Sequence, residues 1–255
     1  MIAVAHDRIP CPSAAFPRNP VCAVIPIYNH ASTLRKVAEK VLLHVPDLLI
    51  VDDGSTDTDL KSLLDNLPVY YCRHEVNRGK GAALRHALRI LSASGFDYML
   101  TLDADGQHDP ADLPAFLQLA DTGKNFFAIG CRDFTGQPVP GGSRFGRKLS
   151  NLLLKLETGI RSADCQSGLR MYPVKLLAGL PFRCSRFDFE AEVLALAAWA
   201  GAEFRDLPVK VYYPPRGVRI THFRPLPELT RLTGLHLRLL AGSLFRKRRH
   251  HGNSL

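Results

Sequence analysis

Beyond residue 20, short apolar runs alternate with segments whose apolar residues recur every three or four positions. The apolar runs cover residues 21–25, 48–51, 70–72, 98–102 and 126–130. Runs of this length that are rich in β-branched and aromatic residues predict buried strands. The segments between them have the spacing of amphipathic helices, so the first half of the chain predicts alternating strands and helices.

This alternation predicts an α/β fold. Helical patterns cover residues 34–45, 56–67 and 84–91. Ser32 stands at the cap position of the first, and the Asp-Pro pair at 109–110 caps and opens a further helix. Strands separated by helices lie parallel in one Rossmann-like sheet with helices on both faces, and ligands bind at the carboxyl ends of the strands.

The second half of the chain has a less regular pattern. It predicts a basic helix over residues 144–157, a turn over 159–168 and a late strand over 209–213. An Ala- and Leu-rich helix starts at Asp188, whose side chain is its predicted cap.

A last helical pattern covers residues 226–245. Its leucines fall on one broad arc and are Leu229, Leu232, Leu235, Leu239, Leu240 and Leu244. Arg231 and Arg238 are predicted to lie opposite this arc, and a basic run follows at 246–251. We therefore expect an amphipathic, basic C-terminal helical tail.

The composition is that of a globular protein. The 255 residues are 46% hydrophobic and 22% charged, and 33 Lys and Arg against 24 Asp and Glu give a net charge of +9. This excludes a disordered chain, a collagen-like repeat and a disulfide scaffold. No uncharged apolar run approaches the roughly 20 residues that span a bilayer. Six scattered cysteines without a CxxC pair favour a reducing, cytoplasmic compartment.

These patterns divide the chain into three parts. Residues 1–20 carry four prolines and lack the apolar stretch of a signal peptide, which predicts a flexible leader. Residues 21–215 form the predicted α/β domain, and residues 216–255 form the tail.

The most acidic motif follows the predicted strand at 98–102 and reads Asp103-Ala-Asp-Gly-Gln-His-Asp109. Carboxylates this close need a cation or a proton between them, and oxygen ligands suit Mg²⁺ or Mn²⁺. The alternative is a polar turn that caps the helix at Pro110. Asp109 is expected to serve as that cap, but a cap needs one carboxylate and the motif has three. The spacing excludes an EF-hand.

Two further polar segments follow predicted strands. Asp52-Asp53-Gly54-Ser55 could accept hydrogen bonds from ribose hydroxyls or a base, and it could equally cap the next helix. Asn77-Arg-Gly-Lys-Gly81 lacks the spacing of a Walker A loop, although Arg78 and Lys80 could face a diphosphate.

Six ordered segments together resemble family 2 glycosyltransferases of the GT-A fold, especially the branch of dolichyl- and polyprenyl-phosphate sugar transferases. They are Ala23-Val-Ile-Pro-Ile-Tyr-Asn29, Val51-Asp-Asp-Gly-Ser-Thr-Asp57, Asn77-Arg-Gly-Lys-Gly-Ala-Ala83, Leu102-Asp-Ala-Asp-Gly-Gln-His-Asp-Pro110, Asp164-Cys-Gln-Ser-Gly-Leu-Arg170 and Phe187-Asp-Phe-Glu-Ala-Glu192. The resemblance covers about residues 20–215.

The resemblance implies roles for individual residues. Asp103 and Asp105 would form the DxD motif that holds a divalent metal, Mg²⁺ or Mn²⁺, on the donor diphosphate, and Gln107 can join them. The implied donor-binding residues are Pro26, Tyr28, Asn29, Asp52, Asp53, Lys80 and Asp103. The family commonly has Glu where this chain has His30, which leaves the choice of nucleotide, UDP or GDP, open.

The implied chemistry is inverting sugar transfer, for which two kinds of acceptor are open. A hydroxyl acceptor benefits from a carboxylate base, for which Asp164 is the candidate. A lipid phosphate is already an anion and needs positive charge, which Arg132, Arg144, Arg147 and Lys148 could supply. These basic residues could equally be a solvated basic face.

The tail is expected to bind a membrane surface. An apolar arc with a polybasic end suits an anionic membrane surface, and the alternatives are a helix packed on the domain or a dimer contact. Aromatic residues are not interleaved with the basic ones, so nucleic-acid binding is not expected. The sequence predicts a cytoplasmic enzyme, peripheral at the inner membrane face, that moves a sugar from a UDP- or GDP-sugar to a lipid-linked acceptor such as polyprenyl phosphate. A nucleotidyltransferase and a non-catalytic module that binds nucleotide sugars are the alternatives.

Overall fold

The computed structural model describes residues 20–122, 125–134, 141–212 and 225–252. Within these ranges it describes all side chains except those of 141–143, 225–226 and 247–252. The predicted leader, apart from Pro20, lies outside the described residues. So do the boundary predicted at 215–216 and the side chains of the basic run beyond Arg246.

The described residues form one seven-stranded, mostly parallel sheet. Its strands are β1 (Val21–Ile27), β2 (Leu48–Asp52), β3 (Tyr70–Arg73), β4 (Tyr98–Thr101), β5 (Phe126–Arg132), β6 (Arg170–Pro173) and β7 (Glu203–Val209). Their order is β3-β2-β1-β4-β6-β5-β7, and β6 alone runs antiparallel to its neighbours. The predicted α/β architecture is confirmed.

Helices cover both faces of the sheet. They are α1 (Ala31–Leu42), α2 (Leu60–Leu63), α3 (Lys80–Ala93), α4 (Leu113–Ala120), α5 (Gly141–Thr158), α6 (Val174–Ala178), α7 (Phe189–Trp199) and α8 (Pro225–Gly252). Alternate side chains of β1 enter two separate cores, because successive residues of a strand point to opposite faces. Ala23 and Ile25 pack in the core beneath α1 and α4, while Cys22 and Val24 pack in the core beneath α3 and α7.

The local predictions at the amino ends of the helices meet with mixed outcomes. Asp109 is confirmed as a cap, because its Oδ1 accepts from the Ala111 N–H at 3.1 Å. The Ser32 cap is wrong, since α1 begins directly after His30. Asp188 precedes α7, but its carboxylate accepts from the Arg186 N–H instead of capping the helix.

The helix predicted over 56–67 is much shorter, because α2 spans only Leu60–Leu63. The Thr56 N–H donates to the Asn29 side chain at 2.7 Å, so this part of the segment closes onto the end of β1. Asp59 then caps α2 by accepting from the Lys61 N–H at 3.1 Å.

The late strand predicted over 209–213 is also wrong in position. β7 ends at Val209 and pairs with β5 along its whole length, from Phe126 with Glu203 to Arg132 with Val209. Beyond it, Val211 makes a single bridge to His108.

Helix α8 packs on α5 and α7, but not with the arc that its leucines predict. Leu235 and Leu239 are buried, whereas Leu229 and Leu244 are exposed. Arg238 does not lie opposite the packed face, because its guanidinium binds the buried Glu192 of α7 at 2.5 Å. Within the described ranges, no helix combines the length and the apolar character needed to cross a bilayer.

Candidate active site

A cavity of about 1270 Å³ opens at the carboxyl ends of β1, β2, β4 and β5. The strand order places Asp53 on one side of Asp103 and Arg132 on the other. The walls of the cavity include Pro26, Tyr28, His30, Asp53, Lys80, Asp103, Asp105, Gln107, Arg132, Arg144 and Arg147. The fold therefore brings most of the predicted site residues to one continuous cavity.

Asp53 fixes the loop that begins α3. Its Oδ1 accepts from the Arg78 N–H at 2.9 Å, and its Oδ2 accepts from the Gly79 N–H at 2.7 Å. Gly79 has φ +98°, and a Cβ there would lie 2.5 Å from the Ser185 carbonyl oxygen. A larger residue would push the loop away from Asp53.

Two histidines stand behind Asp53. His74 Nδ1 lies 2.7 Å from Asp53 Oδ1, and His74 Nε2 lies 2.9 Å from His86 Nδ1. Since a carboxylate only accepts, His74 must donate to Asp53. Burial, aided by the neighbouring His74, lowers the pKa of His86 to about 4.

Two predicted donor-binding residues, Asp52 and Asn29, do not line the cavity. Asp52 is fully buried, with Oδ1 accepting from the Ser55 N–H and Oδ2 from Tyr71 and Arg73. Asn29 has φ +48° and accepts from the Thr56 N–H. Both shape the loops beside the cavity from behind.

Asp103 and Asp105 form an acidic pair inside the cavity, where Lys80 binds Asp103. Lys80 Nζ lies 2.7 Å from Asp103 Oδ1 and 2.9 Å from Glu190 Oε1. Burial disfavours the charged carboxylate of Asp103. The nearby ammonium of Lys80 outweighs this and lowers the pKa of Asp103. Burial and then the charge of Asp103 raise the pKa of Asp105. Two carboxylates that oppose each other in this way attract a cation.

Two glycines allow the acidic pair to take its position. Gly106, with φ +69°, turns the chain after Asp105. Gly168 packs against Asp103 so closely that a Cβ would fall on the Oδ2 atom. Gln107 is buried, lines the cavity, and donates its N–H to Asp105 Oδ1 at 2.9 Å.

The chemistry of these side chains fits a divalent cation. No group of three His, Cys, Asp or Glu residues within the described ranges has the arrangement of a metal centre. Asp103 and Asp105 instead offer two carboxylates at an open cavity. Mg²⁺ and similar hard cations bind in this way, through one or two carboxylates together with phosphate oxygens and water.

The far side of the cavity is basic. Arg147 lies over the Phe134 ring at 4.3 Å and Arg132 at 5.2 Å. The guanidinium of Arg132 binds both oxygens of Asp164, Nε to Oδ2 at 2.6 Å and Nη2 to Oδ1 at 2.9 Å. Asp164 is fully buried and is not part of the cavity wall. In this position Asp164 holds Arg132 and does not face the cavity.

Several polar residues of the cavity escaped the sequence analysis. Glu190, near the start of α7, holds Lys80 through its carboxylate. Arg170 is fully buried and donates to the carbonyls of Ser167, Cys165 and Glu190, so it fixes the loop beside Asp103.

Three more cavity residues are His108, Glu157 and His236. Burial lowers the pKa of His108 to about 4. Glu157 Oε1 lies 2.6 Å from His236 Nδ1 and joins α5 to α8. Only the placement of His108 within an acidic motif offered a signal in the sequence.

Comparison with known proteins gives a sequence match over most of this domain. A model of glycosyl transferase family 2 matches residues 22–180. The UDP-N-acetylglucosamine–dolichyl-phosphate N-acetylglucosaminyltransferase of Methanococcus voltae is 28% identical over 218 residues, which cover 74% of this chain and 84% of that protein. The undecaprenyl-phosphate mannosyltransferase of Micrococcus luteus is 26% identical over 208 residues, which cover 74% and 82%.

Solved structures share the fold. Glucosyl-3-phosphoglycerate synthase from Mycobacterium tuberculosis, in complex with Mn²⁺ and UDP-glucose, has a TM-score of 0.60 at 20% identity and covers 88% of this chain and 78% of its own. Mannosyl-3-phosphoglycerate synthase from Rubrobacter xylanophilus has a TM-score of 0.58 at 20% identity and covers 90% and 75%. The predicted GT-A fold is thereby confirmed.

Proposed function

The chain belongs to glycosyl transferase family 2, in the branch of dolichyl- and polyprenyl-phosphate sugar transferases, and we propose from this premise that it transfers a sugar from a UDP- or GDP-sugar to a lipid-linked acceptor such as polyprenyl phosphate. The observation that carries the proposal is a single cavity with an acidic pair at its centre and arginines beyond it. An anionic diphosphate and an anionic acceptor require such an arrangement.

The donor lies on the β1–β2 side of the cavity. Pro26, Tyr28 and Asp53 border its base and ribose, with Asp53 held in place by the loop at Arg78 and Gly79. Asn29 and Asp52 keep the surrounding loops in shape. Lys80 faces the diphosphate from the amino end of α3, where the helix dipole also favours negative charge.

Asp103 and Asp105 hold Mg²⁺ or Mn²⁺ on the donor diphosphate, with Gln107 beside them. When bound, the metal ion stabilises the negative charge of the leaving nucleoside diphosphate. Lys80 pairs with Asp103, and its ammonium lies beside the position proposed for the donor phosphates. The arrangement keeps Asp103 ionised, as a cation ligand must be.

The acceptor approaches from the β5 side. Arg132, Arg144 and Arg147 bind an anionic phosphate there, opposite the leaving group, so that attack inverts the anomeric centre. A phosphate oxygen needs no base, and the engagement of Asp164 by Arg132 favours this kind of acceptor over a hydroxyl. The protein works in the cytoplasm, peripheral to the inner face of the membrane that holds such a lipid.

Binding of the donor is tested by thermal denaturation of the full chain with UDP, GDP and their sugars, with and without Mn²⁺. We expect one nucleotide to raise Tm, and to do so more strongly with Mn²⁺, because a ligand of the native state stabilises it by mass action. No response to any nucleotide would contradict the proposal.

Transfer itself is tested with a radiolabelled donor and a water-soluble, short-chain prenyl phosphate. The expected product is a glycosyl phosphate ester that is labile to mild acid. Release of sugar 1-phosphate with no sugar ester would show attack at the α-phosphate, and pyrophosphate released from a nucleoside triphosphate and a sugar 1-phosphate would identify a nucleotidyltransferase instead. Binding without turnover would identify a non-catalytic module.

A further inference from the structure

The outward face of α5 carries an uncovered apolar stripe. Phe145, Leu149, Leu152 and Leu156 are 69%, 44%, 51% and 50% exposed. Their spacing of four, three and four residues places them on one side of the helix. A stripe of four large apolar side chains on one helix exceeds the scattered exposure that is usual for a soluble surface.

The exposed charges on α5 itself all have one sign. Arg144, Lys148 and Lys155 are exposed on the same helix. Glu157 is the only carboxylate between residues 144 and 158, and it is 3% exposed and paired with His236. The exposed face of α5 is therefore apolar and basic, without a compensating acid.

Helix α8, which packs beside α5, has the same character. Its exposed large apolar side chains are Leu229, Leu237, Leu244 and Phe245. Arg246 is exposed, and the partly exposed Arg231 and Arg238 pair with the buried Glu228 and Glu192. Glu228 is the only carboxylate between residues 227 and 246, and it is 5% exposed. We call the exposed residues of α5 (144–156) and α8 (229–246) the α5–α8 face.

We infer that the α5–α8 face docks on an anionic lipid leaflet, with the stripe of α5 as its main apolar contact. An apolar stripe between cations is the pattern of helices that lie in a membrane interface, where the cations meet lipid headgroups. A second copy of the chain fits this face less well, since a two-fold contact would bring cations of one copy against those of the other.

Helix α5 lies between this surface and the cavity. Arg147, Ser150 and Leu154 of the same helix line the cavity. At about 100° per residue they lie on the side of α5 roughly opposite the stripe, and a helix is about 10 Å across. The cavity wall therefore stands about one helix diameter from the docked leaflet. The inference rests on the proposed function and extends it. It names the protein surface next to the membrane from which a lipid-linked acceptor would reach Arg132, Arg144 and Arg147.

The test is flotation of the full chain with vesicles of phosphatidylcholine, with or without about 30% phosphatidylglycerol, an anionic lipid of the kind that basic interfacial helices bind. The variant replaces Phe145, Leu149, Leu152 and Leu156 by Ser. Its control replaces Leu43 and Val76, two apolar residues that are 79% and 66% exposed elsewhere, by Ser. Circular dichroism checks that each variant is folded.

We expect the wild type and the control to float with anionic vesicles, and the stripe variant to bind at least about tenfold more weakly. Lys148→Gln with Lys155→Gln should weaken binding to anionic vesicles at low salt only, because surface charges are screened by salt. The inference is overturned if the wild type does not float, or if the stripe variant floats like the control. It is also overturned if sedimentation shows a wild-type dimer that the stripe variant loses.

The readout separates this inference from the proposed function. Transfer to the water-soluble prenyl phosphate does not require a membrane, and the stripe variant should retain it. Transfer without vesicle binding would refute only the docking surface, and vesicle binding without transfer to any acceptor would refute only the proposed activity.

Discussion

Gly168 and Asp103 pack so tightly that only a hydrogen fits on the Gly168 Cα where it faces the Asp103 carboxylate. A methyl group on Gly168 would fall on Asp103 Oδ2. The loop that carries Gly168 is held by Arg170, whose guanidinium donates to the Ser167 and Cys165 carbonyl oxygens. Since the loop is held in this way, the Asp103 carboxylate is the group that must move.

Gly168→Ala should therefore displace Asp103 and lower kcat/KM by about 100-fold or more, the size of effect seen when a group that stabilises developing charge is lost. Gly179→Ala is the matched control, since a Cβ at Gly179 meets nothing within 4 Å. Steady-state kinetics and Tm are measured for both variants. Wild-type kinetics in a folded Gly168→Ala protein would show that the position of Asp103 is unimportant.

The buried Asp164 accepts two hydrogen bonds from the Arg132 guanidinium and one from the Arg132 backbone N–H. If it only positions Arg132, Asp164→Asn should raise KM for the acceptor about tenfold, as expected for a weakened charge-assisted contact, and leave kcat within a few-fold of wild type.

An alternative base role for Asp164 predicts a different outcome. The Asn variant would then lose kcat, and the acid limb of the kcat profile against pH would disappear. Arg132→Lys distinguishes the two accounts further, because it keeps the charge but loses the paired hydrogen bonds, and should also raise KM.

His86 should make the stability of the protein depend on pH. Its pKa in the folded protein is about 4, below the ordinary value of 6.5. Between these values the unfolded chain binds more protons, so the free energy of unfolding falls as pH drops from 6.5 towards 4.

His86→Gln should lose less stability over this interval than wild type, by on the order of 1–2 kcal/mol after allowance for solvent screening. Urea denaturation at several pH values measures the difference. His44→Gln, on the opposite face of the sheet, is the matched control. An identical loss in wild type and His86→Gln would refute the assignment.

The sequence predicted the fold best where it contains continuous apolar runs. The apolar runs of β1, β2 and β4 are buried on both sides, and a strand of that kind cannot be mistaken for a surface segment. The positions of Asp53 and Asp103 at the carboxyl end of the sheet could be predicted for the same reason, because both follow such strands.

The rest depended on contacts between distant segments. Strand β6 is short and starts with Arg170, an unusual residue for a fully buried strand, and only its partners at Ser167 and Glu190 explain it. Likewise, the helical pattern of α8 could not reveal that Arg238 binds the buried Glu192 of α7, because Glu192 lies 46 residues earlier. Spacing along one helix does not identify the surface that it meets.

The central claim is that Asp103 and Asp105 hold a cation on a departing nucleoside diphosphate. The most direct measurement is the leaving group released by wild type and by Asp105→Asn, with a donor sugar, a prenyl phosphate and Mn²⁺. Asp97→Asn is the control, since Asp97 pairs with Lys175 at the surface. We predict one nucleoside diphosphate per glycosyl phosphate formed by wild type and control, and a rate lower by about 100-fold or more in Asp105→Asn. Sugar 1-phosphate as the leaving group, or wild-type turnover by Asp105→Asn, would contradict the account.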